Sequence, residues 1–342
     1  MTNMHYIGFD IHKKTIAFCE KEVDGTIFVQ DTIPSTRNAL KIWASQRTCS
    51  WVGAMEATMF TGWIYDFLLP HAAELKVAHP AMLKALAVAK NKNDRSDAER
   101  IADLLRCNLL PECYMAPEGS RELRRILRFR NLMVREATKM KNKTSGILME
   151  VGAVYNKKKL HGQKYFEELL DTLDYVPESV TNLLRLCRTN TTHFTQLQKQ
   201  LTKGLVANPD IAKRVKLLMT IPGIGEVTAL TWVLEIGEVE RFTRINRAIS
   251  YCGLCSAQSE SAGKNKRGPI SKKRNKHLQS VLVEAAKLAP RWSPQLAAVH
   301  DKEFAEGNHN SATLAVARKM VAYMLAVDRK QVAFQVQEVE VA

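Results

Sequence analysis

The sequence predicts a mixed protein, an α/β layer at the N-terminal end followed by a chain that is mainly helical. Three observations predict it. Short β-branched and aromatic runs alternate with helical patterns over roughly the first 80 residues. Two very long amphipathic helical patterns follow, near 120–150 and 178–204. After these the strand patterns cease and glycine turns separate apolar helical segments, as in Ile221-Pro222-Gly223-Ile224-Gly225.

The opening run His5 to Cys19 is long enough for a strand over 5–11, a turn, and a second strand over 15–21. Asp24-Gly25 marks a hairpin turn into a third strand at 26–30. Ser35 or Thr36 is placed to cap a helix over 37–46. Ser50 to Glu56 reads as a buried strand, 58–69 as a helix, and 75–78 as a further strand that stops before Pro80. In open α/β sheets ligands collect at the carboxyl ends of strands, which is where Asp10 and Glu56 fall. Asp10 has apolar residues on both sides, and a carboxylate in a buried strand is costly unless it is paired or binds a metal. Two readings stand for it: a strand-end Asp that caps a turn toward Lys13 or Lys14, or a metal ligand.

The segment Lys90 to Leu105 bears on that choice. Asp94 and Asp97 stand at i and i+3, on one face of a helix and in its first turn, where the helix dipole favours anions. Capping by Asn93 or Asp94 explains them locally. Alternatively both carboxylates point back to the sheet and join Asp10 and Glu56. Four hard oxygen ligands from two strands and a helix suit one or two Mg²⁺ ions.

Net charge is +15 over 342 residues, and its distribution is uneven. Residues 121–164 hold thirteen Lys/Arg against three acids, and 264–276 add seven with no acid, so the rest of the chain is close to neutral. Two dense basic segments on a neutral background have the form of a polyanion footprint, and nucleic acid is the expected partner. On the first long helix Arg121, Arg125, Arg128, Arg135, Lys139 and Lys143 fall largely off the apolar face. The second, with near-heptad Val180, Leu184, Cys187, Phe194, Leu197 and Leu201, suits pairing between helices, within the chain or between protomers. In the helix, Pro-Gly-Ile-Gly, helix pattern, Gly223 and Gly225 let backbone approach a phosphate. A plain glycine turn is the other reading. Lys264, Lys266, Arg267 and Lys272 surround a Gly/Ser-rich loop in which a serine hydroxyl beside cations is able to attack a phosphodiester, and composition does not choose among Ser256, Ser259 and Ser261.

The seven cysteines are odd in number and form no framework, as expected in a reducing compartment. Cys252 and Cys255 form a lone CxxC without partners at zinc-ligand spacing, better read as small residues flanking a tight glycine. No apolar run reaches membrane-spanning length and no signal-peptide pattern opens the chain, so no membrane partner is expected and the cytoplasm is the expected location.

Taken in order, Tyr6-Ile7-Gly8-Phe9-Asp10, Met55-Glu56-Ala57-Thr58, Lys92 to Ala98, Ile221 to Gly225 and the Gly253–Gly268 loop resemble one family, the DEDD transposases of insertion sequence 110, which include the Piv/MooV DNA invertases. The run Gly268-Pro269-Ile270-Ser271-Lys272, with Asn275-Lys276-His277-Leu278 after it, looks more like the 1111 subgroup. The resemblance implies a RuvC-like (RNase H fold) domain over 1–118, a basic and coiled-coil region over 119–210, and a transposase domain with helix-hairpin-helix and serine loop over 211–342. It maps the DEDD tetrad to Asp10, Glu56, Asp94 and Asp97, binding Mg²⁺ or Mn²⁺, and the nucleophile to Ser261 after Glu260, with Ser259 a lesser candidate because the loop is about one residue longer than in some relatives. It further implies strand exchange through a phosphoserine link to donor and target double-stranded DNA, a composite site often built from different protomers of a dimer assembling to a tetramer, and an element-encoded bridge-type noncoding RNA that carries specificity by base pairing. A site-specific invertase and a hydrolytic RuvC-like junction resolvase are the alternatives, the latter needing no serine. An actin-like kinase shares the Gly8-Phe9-Asp10 opening but would need glycine-rich nucleotide loops that the chain lacks.

Overall fold

In the computed structural model, residues 4–86, 94–261 and 264–335 are described, with the backbone alone described for residues 257–261, 264–267 and 269. The chain divides into two compact units, Met1–Glu118 and Gly119–Ala342.

The first unit is built on a five-stranded sheet. Its elements are β1 (His5–Ile11), β2 (Thr15–Lys21), β3 (Ile27–Pro34), α1 (Arg37–Ser45), β4 (Trp51–Glu56), α2 (Thr61–Leu68), β5 (Glu74–Ala78), α3 (Pro80–Leu86) and α4 (Asp94–Arg106). Strand order is β3-β2-β1-β4-β5, with an antiparallel meander from β1 to β3 and β4 and β5 parallel to β1. The meander follows from local chemistry: Gly25 takes a positive φ of 97° and the Asp24 carboxylate accepts from the Thr26 amide. β3 runs four residues past the expected end, paired with β2 down to Thr15↔Pro34. Thr36 caps α1, its hydroxyl accepting from the Ala39 amide.

The two faces of the sheet differ in side-chain size. One carries Ile7, Phe9, Ile11, Ile16 and Phe18 beneath Trp43 of α1 and Ile64 and Leu68 of α2. The other carries Gly8, Ala17, Cys19 and Ala54, over which α4 lies with Ala98 and Ile101. The small residues let α4 approach closely enough to hold its first turn at the carboxyl end of β1.

The second unit is mostly helical. It contains α5 (Glu118–Glu150), α6 (Gln163–Asp171), α7 (Glu178–Val206), α8 (Pro209–Leu218), α9 (Glu226–Ile236), α10 (Ile245–Tyr251), the hairpin β6 (Ser256–Ser261) and β7 (Lys264–Ile270), α11 (Lys276–Leu288), α12 (Pro294–Glu306) and α13 (His309–Lys330). One core joins the C-terminal part of α5 to α6 and α7 through Ile147, Leu148, Phe166, Leu170, Leu184 and Cys187. A larger one gathers α8 to α13 around Trp232, Leu230, Leu282 and Met320. At its centre Arg214 of α8 donates two bonds to Asp328 of α13, at 2.8 and 2.7 Å, and the Trp232 indole of α9 donates a third at 2.9 Å. The segment expected as a serine-bearing loop is a hairpin, because Ser256–Ser261 pairs antiparallel with Lys264–Ile270. The short helix α6 is not among the elements that the sequence predicts. Residues 331–342 alternate in the sequence like a strand, but residues 331–335 carry none and the rest lie outside the described residues.

Candidate catalytic and nucleic-acid sites

Asp10 is the last residue but one of β1, on the small-residue face, and is 8% exposed. Asp94 opens α4, whose position is fixed by contact with Gly8: a Cβ there would lie 2.1 Å from the Ala98 carbonyl oxygen and 2.5 Å from the Ala102 amide nitrogen. His12, in the turn after β1, stands between the two acids, with Nε2 3.1 Å from Asp10 Oδ2 and 3.4 Å from Asp94 Oδ1. One ligand atom from each of the three lies within 4.8 Å of the others, the spacing of a metal centre. His12 is not among the residues that the sequence singles out. The signal was the turn itself, which in the His12 N to Thr15 O bond brings a residue two after Asp10 back over the strand end.

Burial pushes the Asp10 carboxyl above its ordinary range, the His12 charge and hydrogen bond oppose this, and the nearby carboxylates of Asp94 and Asp97 push it up again. Asp97 is therefore close enough to be felt at Asp10, although its own hydrogen bond is from Arg100 at 2.9 Å. Glu56 closes β4, and the parallel register Phe9↔Met55 sets it beside Asp10 at the same sheet end. That end is fixed by Thr61, whose hydroxyl donates to the Glu56 carbonyl at 2.8 Å and accepts from the Thr58 amide. Of the expected tetrad, the structure brings Asp10 and Asp94 together with His12, Asp97 acts on Asp10 through its charge, and Glu56 shares their sheet end by strand register. Lys92 and Asn93 of the same motif lie outside the described residues.

The donor set of this cluster is oxygen-rich, with one imidazole. Carboxylates suit Mg²⁺ or Mn²⁺, and a carboxylate whose protonation is favoured by burial and by two acid neighbours is one that a cation would relieve.

In the second unit, the hairpin register sets Ser261 across from Lys264 and Ser259 across from Lys266, while Gln258 faces Arg267. Ser256 pairs with Ile270 at the open end. Gly253 precedes the hairpin with φ of 72°, and a Cβ there would collide with Arg274 at 2.3 Å. Cys252 is buried beside it and its thiol is pushed up by burial. Lys272 is exposed just after β7.

On α5, Arg125, Arg135, Lys139 and Lys143 are exposed and Arg121 is half-buried. Lys139 also bonds Glu136 at 2.7 Å. Arg128 differs: its guanidinium grips the fully buried Glu235 of α9 at 2.8 and 2.9 Å. Gly223 takes φ of 85°, and a Cβ on it would meet Ala289 at 2.5 Å, so this glycine serves close packing of the turn. Gly225 is the N-terminal cap residue of α9, with open space where a Cβ would stand and no side-chain cap on the helix. Among the described residues no helix is long and apolar enough to cross a membrane.

Comparison with known proteins gives two family matches. Residues 215–301 match the profile of the transposase IS116/IS110/IS902 family, and residues 7–152 match that of the IS110-type DEDD transposase domain. The chain is 23% identical over 297 residues to the transposase for insertion sequence element IS1111A of Coxiella burnetii, covering 84% of this chain and 78% of that one. It is 25% identical over 294 residues to the transposase for IS1328 of Yersinia enterocolitica, covering 84% of each. The pilin gene-inverting protein of Moraxella bovis is 28% identical over 140 residues, 40% of this chain and 44% of its own.

Proposed function

We propose, from the premise that this chain belongs to the IS116/IS110/IS902 transposase family, that it moves an insertion sequence by serine attack on DNA assisted by a divalent metal ion held by carboxylates. Enzymes of this family cut and rejoin DNA, so the protein binds DNA as its substrate. The observation that carries the finer reading is the convergence of Asp10, His12 and Asp94 within 4.8 Å at the end of a sheet whose neighbouring strand ends in Glu56.

Asp10, Asp94, Asp97 and Glu56 would hold Mg²⁺ or Mn²⁺, with His12 orienting Asp10 and Asp94. Such a cation, when bound, draws charge from a phosphoryl oxygen and favours ionisation of an attacking hydroxyl. The remaining chemistry belongs to the chain. The Ser261 hydroxyl oxygen bonds to phosphorus, the bond from phosphorus to one sugar oxygen breaks, the serine proton leaves to a carboxylate or to water, and the departing sugar oxygen takes up a proton from water. The product is a phosphoserine link and a free sugar hydroxyl, with no net change in the number of phosphodiester-type bonds. Reversal with a different sugar hydroxyl rejoins the strand. Lys264 and Lys266, across the hairpin from Ser261 and Ser259, supply positive charge beside the attacked phosphate.

The first unit fits the RuvC-like catalytic role, and residues 119–210 and 211–342 fit a basic helical region and a transposase domain. Within this reading, Ile221 to Gly225 between α8 and α9 acts as a helix-hairpin-helix that meets phosphates at the uncapped amides of α9. The basic face of α5 grips nucleic acid, an element-encoded noncoding RNA guides target choice, and protomers of a homo-oligomer complete each other's sites. The match to a pilin gene-inverting protein favours one second reading, site-specific inversion, which inverted repeats around a gene rather than element ends would reveal.

The test is recombination of element DNA with its flanking noncoding RNA and Mg²⁺. Wild type should recombine and leave a protein–DNA adduct, whereas Asp10→Ala should be inactive and Ser261→Ala should form no adduct. Cleavage that survives in Ser261→Ala would make the protein a water-using metal nuclease. Recombination that ignores omission of the RNA would remove the guide from the reading.

A further inference from the structure

We propose that Glu235 is a positioning residue for the serine hairpin, holding both feet of β6–β7 through Tyr251 and Asn275 and drawing its own orientation from Arg128 of the basic helix. This inference rests on the reading of Ser261 as nucleophile.

Glu235 lies near the end of the most apolar helix of the unit and its side chain is wholly buried. A carboxylate there is costly unless several donors meet it. They do: Arg128 Nε reaches Oε1 at 2.8 Å, Arg128 Nη2 reaches Oε2 at 2.9 Å, and the Asn275 amide nitrogen reaches Oε2 at 2.8 Å. The Arg124 guanidinium adds its charge at 3.7 Å while bonding the Leu234 carbonyl.

What these bonds hold is the base of the hairpin. Asn275 is the last residue before α11, and its side-chain oxygen accepts from the His277 and Leu278 amides at 3.1 and 3.2 Å. Its oxygen is thus committed to the helix and its nitrogen to Glu235, so the amide has one orientation. The Asn275 backbone amide donates to the Tyr251 carbonyl at 3.0 Å, and the Tyr251 hydroxyl donates to the Glu235 carbonyl at 3.1 Å. Tyr251 ends the helix that leads into β6, and Asn275 follows the turn that leaves β7. One buried residue therefore fixes the entry and the exit of the serine-bearing strands. Gln279 and Arg318 add bonds to the Gly253 and Leu254 carbonyls at 2.6 and 2.9 Å, which keep the entry strand from sliding. A nucleophile a strand's length from its anchor is sensitive to the angle at which the hairpin leaves the domain, and a misplacement of about 1 Å costs on the order of 100-fold in rate.

Three variants separate positioning from bulk stability. Asn275→Ser keeps a good helix cap and removes the donor to Glu235, together with its longer 3.4 Å contact to the Tyr251 hydroxyl. Glu235→Gln offers an N–H where a donor already stands. In Glu235→Gln combined with Asn275→Asp the polarity of that bond is reversed. The new carboxylate at position 275 caps α11 and accepts from the new amide at position 235, whose oxygen still accepts from Arg128 Nε, while Arg128 Nη2 loses its Oε2 bond in both Glu235→Gln and the double variant.

The measurement is the rate of adduct formation on DNA with Mg²⁺, alongside DNA affinity and thermal unfolding of the full chain. Asn275→Ser and Glu235→Gln should each slow adduct formation by at least about tenfold, with DNA affinity within about twofold, and the double variant, which restores the 235–275 bond, should be measurably faster than Glu235→Gln. If Asn275→Ser forms adduct at the wild-type rate, or the double variant folds yet stays as slow as Glu235→Gln, the positioning role is overturned. Ser261→Ala run in parallel keeps the two readings apart. An adduct that persists in it defeats the serine assignment, whereas an adduct lost there but unaffected in the Asn275 and Glu235 variants defeats only this inference.

Discussion

Gly8 of β1 lies so close beneath Ala98 of α4 that a Cβ on the glycine would stand 2.1 Å from the Ala98 carbonyl oxygen. The obstacle is backbone of a packed helix, which cannot move aside as a side chain would. Gly8→Ala should therefore lift α4 from the sheet, lowering stability by about 3 kcal/mol and carrying Asp94 away from Asp10. Gly225→Ala is the control, because no atom lies within 4 Å of the place its methyl would take and its φ of −90° suits alanine. Its cost should stay within about 1 kcal/mol, that of alanine in place of glycine at a helix N-cap. Denaturant midpoints of the two variants check the contrast. Equal midpoints would mean that the close approach of α4 does not govern the unit.

Asp328 is the point at which three helices of the second unit meet through polar groups. Its side chain is 1% exposed and accepts from both Arg214 and the Trp232 indole. Removing a buried carboxylate strands the guanidinium and the indole N–H that faced it. Asp328→Ala should thus cost about 3 kcal/mol, visible as a fall of ~10 °C in Tm. A fall no larger than that of an exposed substitution such as Asp301→Ala would show that water replaces the lost acceptor.

The sheet was legible because its strands are short, β-branched and bounded by turn residues. The expected strands over 5–11, 15–21 and 50–56 match β1, β2 and β4 to within a residue. The length of β3 was not legible, since Asp31 and Thr32 look like a loop until pairing with Ala17 and Phe18 holds them. The Ser/Lys segment hid its strands for the same reason: β6 and β7 are held by their mutual pairing, and their residues have low strand propensity. Asp10 and Asp94 announced themselves as acids in unusual places, whereas His12 is an ordinary turn residue whose role appears only when β1 and α4 are set together. Arg128 looks like one more cation of a basic helix, and Glu235 like a stray acid in an apolar one. Nothing in their separate periodicities says that they meet.

The Glu235 carboxyl also sets a pH dependence. Burial alone would raise it, but hydrogen bonds from Arg128 and Asn275 and the charges of Arg128 and Arg124 outweigh burial and hold it below its ordinary value of 4.5. A group lowered in the folded state contributes stability that is full above its unfolded pKa and is lost as pH falls through the folded one. The second unit should therefore keep this contribution near neutrality and shed it progressively below about pH 4.5. Glu235→Gln should show a lower but flatter stability profile across that range, measured by denaturant unfolding at stepped pH. Parallel profiles for the two proteins would place the acid sensitivity elsewhere.

The exposed cations of α5 should be read out by salt rather than by affinity at one condition. Arg125, Arg135, Lys139 and Lys143 face solvent, so their contribution to DNA or RNA binding would come from displaced counterions. Each phosphate contact contributes about −0.9 to the slope of log K against log salt on duplex DNA and about −0.7 on single strands. Replacing Arg125, Arg135 and Lys143 by Gln should reduce the slope by about 3 if all three touch duplex phosphates. Thermal unfolding of the unit should stay as in wild type, because exposed side chains of this kind contribute little to stability. Arg128→Gln behaves differently: its guanidinium is bound to Glu235, so it should lower stability more than any of the three while changing the slope least. An unchanged slope in the triple variant would move the nucleic-acid footprint away from α5 and onto the second basic segment at 264–276.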